Sequence, residues 1–478
     1  MAISIDQAPL FDILPVGQKV IFAVSDSNAA TSYNFKYVAE VYVSSPGQTS
    51  LSLSAPSYFR ATFKTTPNNA GVGIFDLGPF LESYVSSQNE GDPQSKYKTV
   101  VYDSTTPHPI HLIDQFCKGI NPYALCGVRF SAEGSVTATD PVVDLNVDTN
   151  TGSYWIFNGV LQRNNYLTLG EVNASGNLVA GNNYGYDLGA NNFYPGTAAN
   201  GKFLTNAPLT QYANVDDYGT FAFFNRLPDT TNDKVTNILF VYYKNDGTSV
   251  SQSMTQSWTN GGSTNFNRGS QFIFAGVFPG NLRNWSSTFR SLVAANSLDY
   301  YTVQTRNSDT EDGQLYTIRI NCPSNKGYES VRLTWLNQWG AWDYYTFTQK
   351  SVKSLTTNRT TYTQLDGTWN EAQYEMNGYK GGRKNFRVNS TERIRVNTDF
   401  VNEADAVWFE ELINSPEVYI LNGFDSTESA PYNTITNKYV EPVLITTSDY
   451  TRKTLGNDRL IQYTFDMERN QTQKIQST

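Results

Sequence analysis

Period-two alternation dominates the start of the chain. Phe35, Tyr37, Ala39, Val41 and Val43 fall on one face of an extended segment, while Lys36 and Glu40 fall on the other. Residues 58–64 repeat the alternation and run into Pro67-Asn68-Asn69, a turn. Such runs recur at about 8 to 12 residue spacing, which predicts a β-sandwich-like domain over residues 1–140. One helix interrupts it: Asp76 is placed to cap it, Pro79 fits its first turn, and Leu77, Leu81, Tyr84 and Val85 share a face.

Further apolar runs at 154–157, 220–224, 238–243, 272–278, 315–320 and 331–336 predict a central β domain over 141–350. Within it, Asn245-Asp246-Gly247 between two extended runs is a strong hairpin signal. The Gly- and Asn-rich stretch 170–201 is long for a loop, and we expect it to pack on a neighbour or to be poorly ordered. A third domain, 351–478, opens with a Thr-, Asn- and Ser-rich strip at 351–363, readable as a linker or an edge strand. Its helix is the clearest in the chain, with Asn402 as cap, a stripe of Val401, Ala404, Trp408 and Leu412, acids Glu403 and Asp405 near its N-terminus, and Pro416 beyond its end. Strands are expected at 417–421, 440–446 and 460–467. The expected fold is mainly β, with two or three β-sandwich-like domains and two short helices. No repeat of about 20 to 50 residues points to a solenoid or propeller.

Composition agrees with this picture. Charged residues make up 17% and aromatics 14%, which argues against both disorder and long helical assemblies. Cys117, Cys126 and Cys322 are too few for a disulfide framework and odd in number. They suggest a chain folded in a reducing cytoplasm. The start lacks a signal-peptide pattern, and no apolar run approaches the ~18 residues of a membrane span, so neither secretion through a cleaved signal nor membrane insertion is expected.

The search for chemistry returns little. His108 and His111, the only histidines, are spaced by three with Asp114 and Cys117. Pro107 and Pro109 disturb any helix there, however, and polar residues at a loop junction explain the set better than zinc. The acidic turns 148–152 and 309–313 lack the ligand series of a calcium loop. No nucleophile elbow, phosphate loop or dinucleotide fingerprint is present. The adjacent pairs Glu410, Glu411 and Asp216, Asp217 point apart and read as solvated positions. No metal or other cofactor is therefore expected.

Two constellations remain. Lys380, Arg383, Lys384, Arg387, Arg393 and Arg395 form a basic strip with Glu392 as the only acid among them, in a chain of net charge −9. Glycines at 378, 381 and 382 suggest an exposed hairpin or arm. Such a strip could neutralise phosphates, but docking on an acidic partner or a neighbouring copy fits the acidic background better than nucleic acid does. The second constellation is 335–347, with six aromatics in thirteen residues and Gly340 placed for a turn. Trp335, Trp339, Trp342, Tyr344 and Tyr345 read as core and interface anchors of a turn between two buried strands, and a sugar-stacking platform is the alternative.

The order of elements resembles that of virion structural proteins of tailed bacteriophages. The resemblance rests on the strand 34–43, then 60–69 and 73–76, an element like 335–347, and a helix leading to 415–419, followed by 441–446 and 451–454. It spans nearly the whole chain except a middle insertion, about 163–215. It implies a non-enzymatic component of a tail, baseplate or neck, made in the host cytoplasm and built into the virion. Its expected partners are copies of itself and other virion proteins, and it carries over no catalytic residue. A carbohydrate- or receptor-binding module of a phage tail is the alternative expectation, and a depolymerase-type glycoside hydrolase the third.

Overall fold

The structure is a computed structural model, and it describes residues 3–9, 13–17, 19–45, 50–85, 110, 116–118, 123–145, 148–160, 201–224, 235–255, 272–307, 310–311, 313–321, 327–421, 440–454 and 460–469. The chain is mainly β, with several sheets and four short α-helices among these residues.

The N-terminal alternation builds a sandwich. Tyr33–Val43 is central to a seven-stranded sheet in which Ile13–Pro15, Tyr154–Phe157, Tyr123–Ser135, Tyr33–Val43 and Phe59–Thr65 lie side by side. The short strands Val143–Asp144 and Thr149–Asn150 pair with Tyr123–Ser135 as well. Phe35, Tyr37, Ala39, Val41 and Val43 all enter one core with Phe22, Val24 and Phe75 of a three-stranded sheet made of Ser4–Gln7, Ile21–Ser25 and Val72–Asp76. Phe130 joins the two layers, 5.7 Å from Phe22 and 5.6 Å from Phe75 by ring centroids. Tyr37 crosses the same core: its hydroxyl donates to the Gly71 carbonyl at 2.5 Å and accepts from Asp26 N–H at 3.0 Å. Cys126 is fully buried in this core, and burial pushes its thiol up to about 12.

The helix after Asp76 is a single turn, Gly78–Leu81, continued by the 3-10 turn Glu82–Tyr84. Asp76 holds its entry by accepting from Gly78 N–H at 3.2 Å and Val20 N–H at 3.1 Å.

A six-stranded sheet follows, with Thr210–Ala213, Tyr316–Ile320, Leu298–Asn307, Asn237–Lys244 and Ser249–Thr255 in that lateral order and Thr310–Glu311 beside Leu298–Asn307. The Asn245-Asp246-Gly247 hairpin forms as expected. Gly247 has φ +81°, and the Asp246 carboxylate accepts from Thr248 N–H at 2.9 Å and from its hydroxyl at 2.6 Å. Those two bonds hold the Asp246 carboxyl below the usual carboxylate range. A small sheet of Thr220–Phe224, Phe272–Gly276 and Phe116–Lys118 is also present.

Two helices, Pro279–Trp285 and Ser287–Ala294, were not expected from the sequence, so the expectation of two helices is corrected to four among the described residues. Both are short, and Gly280 and Asn281 weaken the first as a helix signal. Each nevertheless starts on a recognised device, Pro279 in the first turn of one and the Ser286 hydroxyl accepting from Phe289 N–H at 2.9 Å in the other.

The C-terminal part forms a seven-stranded sheet in the order Trp342–Phe347, Val331–Leu336, Val418–Leu421, Val440–Ile445, Thr464–Arg469, Gly382–Asn397 and Val352–Gln364. Helix Asp405–Asn414 covers it with Trp408, Phe409 and Leu412. Trp335 lies 5.0 Å from Trp408, and Phe465 lies 5.7 Å from Phe409. The buried stripe includes Ala406 and Phe409 and leaves Ala404 exposed, because the helix begins three residues after Asn402.

By packing, the chain divides into two units. One comprises Met1–Asn321, Leu336–Tyr344 and Gly423–Asn437, and the other Cys322–Trp335, Tyr345–Asn422 and Lys438–Thr478. The expected borders at 140 and 350 cut through sheets. Tyr154–Phe157 pairs with residues 123–126, and Val331–Leu336 pairs with Val418–Leu421, two partnerships that local composition does not display.

Candidate functional site

The aromatic turn is the first candidate, and its rings point inward. Trp335, Trp339 and Trp342 are 0%, 2% and 2% exposed, and Tyr344 is buried with its hydroxyl 3.1 Å from the Thr220 hydroxyl. Asn337 builds the turn: its Oδ1 accepts from Trp339 N–H and Ala341 N–H, both at 3.0 Å, while its Nδ2 donates to the Leu204 carbonyl at 2.9 Å. Tyr345 accepts from Asp399 N–H at 3.1 Å, and burial pushes its phenol up from its usual value. These residues are core anchors within the chain. The indole faces of Trp335, Trp339 and Trp342 are closed to a sugar ring, which disfavours the alternative of a sugar-stacking platform at this turn.

The basic strip is the second candidate, and the structure divides it. Ile394 and Val396 turn their side chains into the core, which sends Arg393 and Arg395 to the opposite face of the same strand. There Arg393 faces Glu468 at 2.5 Å, and Arg395 faces Asp466 at 2.7 and 2.9 Å, from directly opposite positions on neighbouring strands. Each member of the second pair holds the other in its charged form, so the Arg395 guanidinium is raised and the Asp466 carboxyl lowered from their ordinary values. These two arginines are internal ion-pair partners, a correction to their place in a binding strip.

Beyond residue 393 the strand loses its inner neighbour, because Thr464–Arg469 pairs only with 393–397. Val352–Gln364 and Gly382–Asn397 continue as a two-stranded antiparallel ribbon. Residues 354–364 span about 35 Å at ~3.3 Å each. All of Val352–Gln364 except Gln364 is exposed. A bulge between Thr360 and Thr361 sets Phe386 between their register partners Arg387 and Asn385, with its ring 6.4 Å from Tyr362. Along this shaft Arg383 donates to the Thr361 hydroxyl at 3.1 Å, Lys384 to Gln364 Oε1 at 2.5 Å, and Arg387 to Asn389 Oδ1 at 2.8 Å. Their acceptors are neutral. Lys380 lies 3.4 Å from Glu371.

The ribbon ends in a tip, 365–381, that the sequence reading overlooked. Leu365, Trp369, Tyr374, Met376 and Tyr379 are all exposed there, Trp369 by 67% and Met376 by 79%. The tip is ordered by its own bonds. The buried Thr368 hydroxyl donates to the Gln373 carbonyl and accepts from Glu375 N–H, both at 2.7 Å, and Trp369 meets Tyr374 edge to face at 5.5 Å. Gly367, with φ +76°, lies so close to the Tyr374 ring that a Cβ would come within 2.5 Å of it. The available signal was the set of glycines at 367, 378, 381 and 382 flanking scattered aromatic residues in a polar strip.

For a metal, no group of three or more His, Cys, Asp or Glu side chains converges among the described residues. His108, His111 and Asp114 lie outside them, as does the stretch 170–200. Asp216 pairs with Arg283, and Asp217 accepts from Asn214 N–H at 2.7 Å. Glu410 pairs with Arg452. Among the described residues, no helix is long and apolar enough to cross a membrane.

No protein-family model matches the chain, and a search among curated proteins finds no match. Among solved structures, it is similar to a mutant of Salmonella alpha-2-macroglobulin at 8% identity and a TM-score of 0.17. The match covers 99% of this chain but 30% of that one, so the chain spans about a third of that protein's length. No argument rests on a likeness of this size.

Proposed function

We propose that this chain is a non-enzymatic structural component of a tailed-bacteriophage virion, in a tail, baseplate or neck position, working by docking on copies of itself and on neighbouring virion proteins. The observation that carries the docking role is the ribbon and its tip. A two-stranded hairpin is at best marginally stable in water by itself. This one leaves its outer strand in solvent along nearly its whole length and holds five large apolar side chains outward on an internally bonded tip. Such a patch on a polar stalk suits a protein partner. The phage setting rests on the resemblance in element order.

Purified particles provide the test. Mass spectrometry of gradient-purified virions should find the chain at many copies per particle, and antibody labelling should place it at the tail or neck. Absence from washed particles overturns the proposal. Turnover of a capsular polysaccharide by the purified chain would move it to the hydrolase class.

A further inference from the structure

Charge along the ribbon points to what covers it. Residues 354–364 and 382–391 carry four cations, Arg359, Arg383, Lys384 and Arg387, and no acid. The tip 365–381 between them holds Lys380 against Asp366, Glu371 and Glu375, so the whole arm 354–391 carries +2, and the rest of the chain, with 30 Lys and Arg against 41 Asp and Glu, carries −11. Arg393 and Arg395 add nothing to the attraction, since Glu468 and Asp466 already pair with them. We propose that the ribbon of one copy docks on the acidic body of a second copy, with the shaft cations giving electrostatic complementarity and the Trp369–Tyr374 tip the buried anchor.

The same charges oppose pairing of two arms with each other. Pairing two outer strands Val352–Gln364 edge to edge would bring two cationic shafts together, a like-charge juxtaposition that costs affinity. An arm-to-body contact closes when two copies exchange arms about a two-fold axis, and otherwise propagates into a larger ring or a filament. Trp369, Tyr374 and the shaft arginines are also the residue types that dominate binding energy when a partner desolvates them. This inference rests on the multi-copy reading above, but not on the phage setting.

The test uses the full chain. Analytical ultracentrifugation should show the wild-type protein self-associating, less so as salt rises. The triple variant R383E/K384E/R387E and the double variant W369A/Y374A should each weaken association at least about tenfold, with thermal midpoints close to that of wild type, because Arg383, Arg387, Trp369 and Tyr374 are exposed and Lys384 is half-buried on the ribbon surface. In addition, the triple variant immobilised on a surface should still capture wild-type chain, since its body remains an acceptor. An arm-to-arm contact would abolish that capture. A wild type that stays monomeric at high concentration, or variants that associate as wild type does, overturn the inference while leaving the virion proposal to its particle test. Variants that associate normally but fail to enter particles would assign the ribbon to another virion protein. Ribbon-dependent binding of a duplex DNA probe with unchanged association would assign it to nucleic acid.

Discussion

Arg395 and Asp466 sit directly opposite each other on neighbouring antiparallel strands, and the guanidinium forks onto the carboxylate, Nε to Oδ1 at 2.7 Å and Nη2 to Oδ2 at 2.9 Å. This planar two-point contact fixes the last paired stretch before the ribbon leaves the sheet. Because both side chains are largely exposed, solvent screens the pair and its worth is small.

The sign of its pH dependence is nevertheless defined. Asp466 has a folded pKa below the ordinary value of 3.8, with the Arg395 hydrogen bond as the first cause, so the unfolded chain takes up the proton first. The pair's contribution is complete above the unfolded value and disappears as pH falls through the folded one. Asp466→Asn should therefore lower the thermal midpoint slightly at neutral pH. The gap to wild type should close in acid, below the carboxylate range, when the two are melted side by side. A gap that persists there would mean the variant acts through something other than the ion pair.

Asp405 should behave in the opposite sense. It is half-buried at the start of helix Asp405–Asn414, and desolvation raises its carboxyl above 3.8, although the bond from Asn402 N–H at 3.0 Å opposes this. The folded chain therefore holds the Asp405 proton to higher pH than the unfolded chain does, and its contribution to stability falls as pH rises through that window. An amide keeps the acceptor for Asn402 without the desolvated charge. Asp405→Asn should be tolerated at neutral pH, and its stability relative to wild type should improve as pH rises from acid to neutral. Chemical denaturation at the two pH values gives the comparison.

These two carboxylates also show what a sequence makes legible. Asp405 was readable as an acid near a helix start because its partners are local. Asp466 was not, since its relation to Arg395 depends on strands paired across some seventy residues of chain. The same division runs through the fold. The strand Tyr33–Val43 and the hairpin at Asn245-Asp246-Gly247 follow from periodicity and turn chemistry, whereas the pairing of Tyr154–Phe157 with 123–126 follows from no local signal. In the candidate site, the arm was visible as a cationic strip edged by glycines. Its tip was hidden because Trp369, Tyr374 and Met376 are spread thinly through polar residues, and apolar residues in sequence read first as core.

Trp335 tests the opposite assignment, of an aromatic residue to the core. It is fully buried, and its ring packs 5.0 Å from Trp408 of the covering helix. Removing a buried indole forfeits transfer energy and opens a cavity, so Trp335→Ala should cost about 3–5 kcal/mol in urea unfolding. Trp369→Ala, which empties no core, should leave the unfolding midpoint almost unchanged. Equal losses from the two would place the tip in a core as well.

The turn at 337–341 gives the sharpest local test. Asn337 satisfies the N–H groups of Trp339 and Ala341 and the carbonyl of Leu204, all in a buried setting. Truncation to Ala leaves these groups without their partner, and buried unsatisfied groups cost about 1–3 kcal/mol each, so Asn337→Ala should lose at least about 2 kcal/mol. Asn337→Asp keeps the acceptor but turns a carboxylate oxygen toward the Leu204 carbonyl in a buried site, so it should be destabilised too, and more so as pH rises and the carboxyl ionises. Gly340 adds a steric limit to the same turn. Its φ of +70° disfavours any side chain, and a Cβ would lie 2.1 Å from the Asn158 carbonyl oxygen. Gly340→Ala should therefore destabilise by more than the ~1 kcal/mol of the dihedral alone, because backbone rather than a mobile side chain blocks the methyl group. Unfolding curves for the three variants at acid and neutral pH should show a loss that grows with pH for Asn337→Asp alone. A Gly340→Ala protein as stable as wild type would show that the turn relaxes away from Asn158.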